Sequence, residues 1–239
     1  DRSVNLNQSA SSKAGAVHLA PCACSLDIAK LRCYPSFPPA MIPEDFRRLL
    51  NEMNEAEIVR THIVTEDPGP NVPAESLRHV EAILRAKFQV PAEHRVSAIV
   101  VGSAKLGFSF IEKRERGVVI KPAYRSYQPG ISDIDIAVVS PMVYGKIWND
   151  LASIGAHARS FPVRSSLGDY MYHGWLRPDK FPDPKPQRCA DWSNAYRDLQ
   201  IYPALRNKRV RLALFQSQYF LETYQQRGIR FAREQELML

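Results

Sequence analysis

Two short segments constrain this chain more than any other feature. Ala98 to Val101 is an apolar run that stops abruptly at Gly102-Ser103, and a second run begins near Ser132 as Asp133-Ile134-Asp135-Ile136-Ala137-Val138-Val139. A short apolar run closed by a glycine reads as a buried strand. In the second run the period of two puts Asp133 and Asp135 on one face and Ile134 and Ile136 on the other. Two carboxylates on a strand whose downstream half is apolar are costly unless they are solvated or hold a cation. The end of the first strand and the start of the second are therefore expected to meet at one polar site.

The rest of the chain supplies helices around these strands. Pro43, followed by Glu44 and Asp45, predicts a helix start, with Phe46, Leu49, Leu50 and Met53 as its apolar stripe. A second helix from about Pro73 carries Leu77, Val80, Ile83, Leu84 and Phe88 on one side and leads into the first strand. Past the second strand, Pro141 opens a helix with Val143, Ile147, Leu151 and Ile154 inward, closing at Gly155. His157 to Arg188 mixes prolines, basic residues and aromatics, and a segment of that length without a period reads as a functional loop or lid. Ala190 to Arg206 is expected to be helical. Val210, Leu212 and Leu214 alternate with Arg209 and Arg211 as in a half-exposed strand, and a last helix from Tyr219 is expected to end at Gly228. The expected fold class is α/β (α+β), a mixed sheet flanked by helices, in a single domain over 41–239 with helical additions and a basic insert at 104–132.

Residues 1–40 are rich in Ser, Ala and Pro and read as a disordered or non-native tail, with Met41 taken as the natural beginning. The four cysteines show neither a paired zinc-binding spacing nor a disulfide framework, so they are expected to be reduced and the protein cytoplasmic. No apolar run is long enough to span a bilayer. The formal charge of +7 favours anionic partners such as nucleotides or nucleic acid, although charge alone decides little.

A glycine and a serine at a strand end let backbone N–H groups and a hydroxyl approach a phosphate closely. A nearby pair of carboxylates suits Mg²⁺, which binds through one or two carboxylates together with substrate phosphates. Gly102-Ser103 followed by Asp133-Ile134-Asp135 resembles the signature of the DNA polymerase beta-like nucleotidyltransferase superfamily. The resemblance covers about forty residues directly. It implies a nucleotidyltransferase-like core that transfers a nucleoside monophosphate from an NTP, taken as ATP, to a hydroxyl acceptor and releases pyrophosphate. It also implies that Gly102 and Ser103 hold the phosphates and that Asp133 and Asp135 hold Mg²⁺ or Mn²⁺. Lys105, beside the turn, is added as a phosphate contact.

Two departures from the family pattern stand out. The insert between the motifs is long and basic, carrying Lys105, Lys113, Arg114, Arg116, Lys121 and Arg125 against Glu112 and Glu115. The family's third carboxylate is also absent from the strand at 209–215, which offers arginines and Ala213. Asp169 is the substitute by position, ahead of Asp191 and Glu222. The acceptor is open between a protein side chain, an RNA or tRNA end, a small molecule and a second nucleotide, and an antitoxin or effector is the expected partner if the chain is a toxin or defence component. The alternative is a catalytically degenerate fold that binds nucleotide or RNA. The run Tyr170-Met171-Tyr172-His173-Gly174-Trp175 is able to stack a base, with core packing the commoner use of its tryptophan.

Overall fold

The sheet predicted around the two strands is the centre of the computed structural model, which describes residues 41–155 and 164–237. The expected tail, three of the four cysteines and residues 156–163 lie outside the described residues. Strands β1 (Ser97–Val101), β6 (Ile134–Val139), β8 (Val210–Phe215) and β7 (Trp175–Leu176) lie in the spatial order β1, β6, β8, β7. β1 is antiparallel to β6, β6 is parallel to β8, and β7 closes the far edge antiparallel to β8. The mixed sheet with flanking helices agrees with the expected class.

The period of two divides the sheet faces. On one face Ile134, Ile136, Val138, Val210, Leu212 and Leu214 are buried with the apolar sides of α3 (Ala74–Lys87), α5 (Pro141–Gly155) and α7 (Gln187–Ile201). Ser140 starts α5, its buried hydroxyl accepting from the Val143 N–H at 3.3 Å. Lys146 of α5 donates to the Phe88 carbonyl at 2.6 Å, satisfying an orphan acceptor at the end of α3. On the other face Ala137, Val139 and Phe215 are covered by α1 (Pro43–Glu52), α2 (Glu55–Ile58) with its π-helical continuation Val59–Ile63, and α8 (Gln218–Glu236).

Three expectations are corrected. α8 does not end at Gly228, because Ile229 and Ala232 beyond it are buried. Arg233 then ties this helix to α1 and α2, donating to the carbonyls of Leu50 (2.8 Å) and Met53 (2.7 Å) and to Glu55 (2.6 Å). Tertiary burial overrides the stop signal of a single glycine. α7 begins earlier than expected, after Pro186, and ends at Ile201 ahead of Pro203. The region expected to be loop contains α6 (Arg164–Tyr172), strand β7 and a 3₁₀ turn at Pro178–Lys180.

The insert is structured as well. α4 (Ser103–Leu106) follows β1, β2 (Phe108–Ser109) pairs with β5 (Arg125–Ser126), and β3 (Lys113–Glu115) with β4 (Val118–Lys121) forms a hairpin. Its two turn residues, Arg116 and Gly117, both have positive φ, as a tight hairpin turn demands. No helix among the described residues is long and apolar enough to cross a membrane.

Candidate functional site

The antiparallel register of β1 and β6 sets Val101 opposite Asp135, so the end of one strand meets the start of the other. Gly102 then takes φ 68° and ψ −149°, a backbone region essentially restricted to glycine. A Cβ at this position would lie 3.3 Å from Asp135 Oδ2, so the glycine also clears space for the carboxylate. Ser103 is half-buried at the start of α4. Gly102 and Asp135 thus meet at the two strand ends, with Ser103 next to the glycine in the chain and Asp133 two residues before Asp135.

Electrostatics distinguish the two carboxylates. Asp133 is paired with two arginines, Arg209 Nε at 3.1 Å and Arg211 Nη2 at 2.9 Å. Asp135 lies deeper, and burial holds its carboxyl above the usual range, with the charge of Asp133 adding to the shift and Arg211 and Lys113 opposing it. Lys113 belongs to β3, so the basic insert reaches the electrostatic neighbourhood of the pair. Arg211 is the β8 partner of Asp135 in the parallel register. The strand position where a third carboxylate was sought therefore holds a guanidinium.

The remaining predicted residues lie elsewhere. Lys105 is buried, 7 % exposed, and its ammonium donates to Thr65 Oγ1 at 2.6 Å and to the Asp67 carbonyl, with the Asp67 carboxylate 3.7 Å away. This corrects the phosphate-binding expectation: a buried ammonium already surrounded by oxygens is an internal anchor. It holds the 65–71 loop beneath α4, helped by Asn71, which donates to the Ala104 carbonyl at 2.9 Å. Asp169 is exposed on α6. No group of three or more His, Cys, Asp or Glu side chains able to hold a metal forms among the described residues, so Asp169 does not complete the pair. Asp191 is paired with Arg188 at 3.1 Å, and Glu222 accepts from Gln218 at 2.8 Å.

Sequence reasoning singled out the Tyr170–Trp175 run but missed that it joins Phe215 and Tyr224 in an aromatic wall. Trp175 stacks parallel to Phe215 with ring centroids 6.0 Å apart and meets Tyr224 at 4.6 Å and Tyr170 at 4.9 Å. Phe215, Ala213 and Arg211 follow one another on the same face of β8, so the wall continues the face that carries the carboxylates. Burial raises the pKa of Tyr224, and Asp135 is the next contributor, so this phenol lies within electrostatic reach of the pair. Tyr224 lies on α8, some ninety residues from Asp135 in sequence, and no local pattern announces the contact.

Comparison with protein-family models, curated proteins and solved structures finds no match to this chain. Its chemistry rests on its own geometry.

Proposed function

We propose that the chain is a Mg²⁺-dependent nucleotidyltransferase of the DNA polymerase beta-like kind, moving a nucleoside monophosphate from an NTP, ATP in the first instance, onto a hydroxyl acceptor. The observation that carries this reading is the meeting of a glycine-only turn with a half-buried carboxylate: Gly102 and Asp135 approach so closely that a methyl group would touch the acid. The donor set fits one divalent cation. Asp133 and Asp135 share a strand face, and two carboxylates suffice when phosphate oxygens and water complete the shell. The arginines now on Asp133 are 60 % and 62 % exposed, and ion pairs so exposed are weak enough to exchange for a cation and a phosphate.

In this reading Asp133 and Asp135 hold the ion and Gly102 and Ser103 line the triphosphate. Arg209 and Arg211 turn from Asp133 to the phosphates. Bound Mg²⁺ neutralises charge on the triphosphate as it develops. The acceptor oxygen bonds to the α-phosphorus, the bond to the bridging oxygen of the β-phosphate breaks, and pyrophosphate leaves. The acceptor proton passes to solvent, since no third carboxylate joins the pair among the described residues.

The position of Arg211 favours one second reading, a degenerate fold that binds nucleotide or RNA without chemistry. The two separate cleanly. Incubation with each labelled ribonucleoside triphosphate, Mg²⁺ or Mn²⁺, and total RNA and protein is expected to label one fraction and release pyrophosphate, and Asp133→Ala is expected to abolish both. Equal labelling by that variant sinks the transferase reading. Salt-sensitive nucleotide binding that survives loss of both aspartates, without pyrophosphate release, establishes the binding module.

A further inference from the structure

The hairpin in the basic insert is a sheet with an open edge. β3 and β4 pair with each other alone, and every residue of both strands is exposed. A two-stranded hairpin is marginally stable by itself and gains from a further strand. Its two strands differ in what they offer one. β3 reads Lys113-Arg114-Glu115, the charged composition that protects an edge from pairing. β4 reads Val118-Val119-Ile120-Lys121, and its three apolar residues are 66 %, 41 % and 46 % exposed. β-branched residues in a row favour strand pairing, and charge and proline enter only at the end, as Lys121 and Pro122.

Positive charge brackets this apolar run. The register sets Lys113 directly opposite Lys121, and like charges so placed repel. Arg116 stands at the other end, in the turn. Arg114 is taken by Glu112, but among the described residues no carboxylate lies at ion-pair distance from Lys113, Arg116 or Lys121. Beside β4, Ile120 and Lys113 line a groove whose other wall is Phe231 and Gln235 of α8, with Phe231 47 % exposed. The Glu112 N–H donates to Gln235 Oε1 at 3.2 Å, which fixes the base of the hairpin on that helix.

These features select among occupants. Val118 and Ile120 share one face of β4 and Val119 lies on the other, so a strand added along the edge meets all three where a body packed on one face does not. A membrane would meet the Arg116-Gly117 turn first, and a guanidinium at the tip opposes insertion. A second copy of the chain would bring the cations of two hairpins together. Aliphatic side chains offer no ring on which a nucleobase stacks. An extended segment with apolar side chains and carboxylates at its ends satisfies the edge, the groove and the charge at once.

We propose that β4 is the docking edge for an extended, acidic segment of a protein partner, which adds to the hairpin as a third strand. Its apolar side chains lie against Val119 on one side and against Val118, Ile120 and Phe231 on the other. Its carboxylates meet Arg116 and the Lys113–Lys121 pair. This docking is independent of the transferase reading.

The test is fluorescence anisotropy of the full chain, across a salt series, with a short labelled peptide of alternating valine and threonine flanked by glutamates at both ends. Wild type is expected to bind it, with affinity falling as salt rises. A lysine-flanked peptide is expected to bind at least about tenfold more weakly. A glutamate-flanked peptide methylated on its backbone nitrogens cannot donate to the β4 carbonyls and is expected not to bind. Val118→Thr combined with Ile120→Thr keeps strand propensity and is expected to weaken binding about tenfold. Lys121→Gln is expected to weaken it about threefold and to flatten the salt dependence. All three side chains are exposed, so thermal melting is expected to be unchanged and serves as the folding control. No binding of the glutamate-flanked peptide, equal binding of the lysine-flanked or methylated one, or a double variant that binds like wild type overturns the proposal. Dimerisation in sedimentation, or attachment to phosphatidylserine vesicles, that the double variant abolishes gives β4 to another occupant and overturns it as well. No nucleotide is present, so the outcome is read separately from that of the labelling experiment.

Discussion

Two ends of one sheet face are built from the same strands with opposite chemistry. Where Ala137 and Val139 of β6 meet Ala213 and Phe215 of β8, α8 and the α1–α2 region cover the sheet and the side chains are apolar. Four residues earlier along the same strands, Asp135 and Arg211 occupy equivalent positions on that face, with Asp133 and Arg209 just beyond them. The β6–β8 register runs unchanged between the ends, while β7 pairs with β8 only at Leu214 and Phe215. A further difference is what lies over them: α8 and the α1–α2 region cover the apolar end, whereas Arg209 and Arg211 at the polar end are 60 % and 62 % exposed.

The largest effect is expected at the covered end. Phe215 is 2 % exposed and stacks on Trp175. Its replacement by Ala should cost about 3–5 kcal/mol, read by urea denaturation. A loss below about 1 kcal/mol would mean that this end is not the stabilising half, and the contrast would fail.

At the boundary between the ends, Gly102→Ala forces a side chain into a positive-φ conformation and against Asp135. A cost of about 1–3 kcal/mol is expected, together with loss of nucleotide binding out of proportion to the loss of stability. Equal nucleotide affinity at a temperature where the variant is folded would detach the turn from the site.

How far the contrast was legible in the sequence depends on the range of the interactions behind it. The alternation in β6, the run in β1 and the stripes of α1, α3 and α5 are local patterns, and the structure places them as read. The meeting of Gly102 with Asp135 was legible because both segments announced strand ends. The ammonium of Lys105 bonds to Thr65, forty residues away, so its place beside the turn in sequence said nothing of its direction. β7 is two residues long, too short to show a period, and the hairpin turn at Arg116-Gly117 lacks an Asn or Asp to signal it. The neighbour of Asp135 on β8 depends on a parallel register that only the packed sheet fixes.

The open end should also reveal itself through pH. Burial holds the Asp135 carboxyl above its ordinary value of 3.8, so the folded state binds this proton more tightly than the unfolded chain does. The sign follows: its contribution to stability is fully present below pH 3.8 and is lost as pH rises through the folded-state value. At neutral pH the ionised carboxylate therefore destabilises the fold. Asp135→Asn should raise the melting temperature at pH 7 by about 2–4 °C for each kcal/mol recovered, and remove the step in stability above pH 3.8. The same substitution should abolish nucleotide transfer. A variant less stable than wild type at pH 7 would mean that Arg211 and Lys113 already compensate the buried charge.

The smallest change in stability is expected at Arg211. Its guanidinium is 62 % exposed and 2.9 Å from Asp133, and such pairs contribute about 0–1 kcal/mol. Arg211→Gln removes this contact and also the foremost attraction on Asp135, so the half-buried carboxyl should move further upward and the pH step should widen. Nucleotide affinity decides between the two roles open to the arginine. If it only neutralises Asp133 in the absence of ligand, Arg211→Gln should leave nucleotide binding unchanged or tighter, because the guanidinium no longer competes with Mg²⁺ for Asp133. If it turns to the phosphates, affinity should fall by about tenfold, the equivalent of about 1.4 kcal/mol, and more steeply at low salt. The second outcome is expected, since Asp133 has to be released to hold the ion and the Arg211 guanidinium is then free for the phosphates.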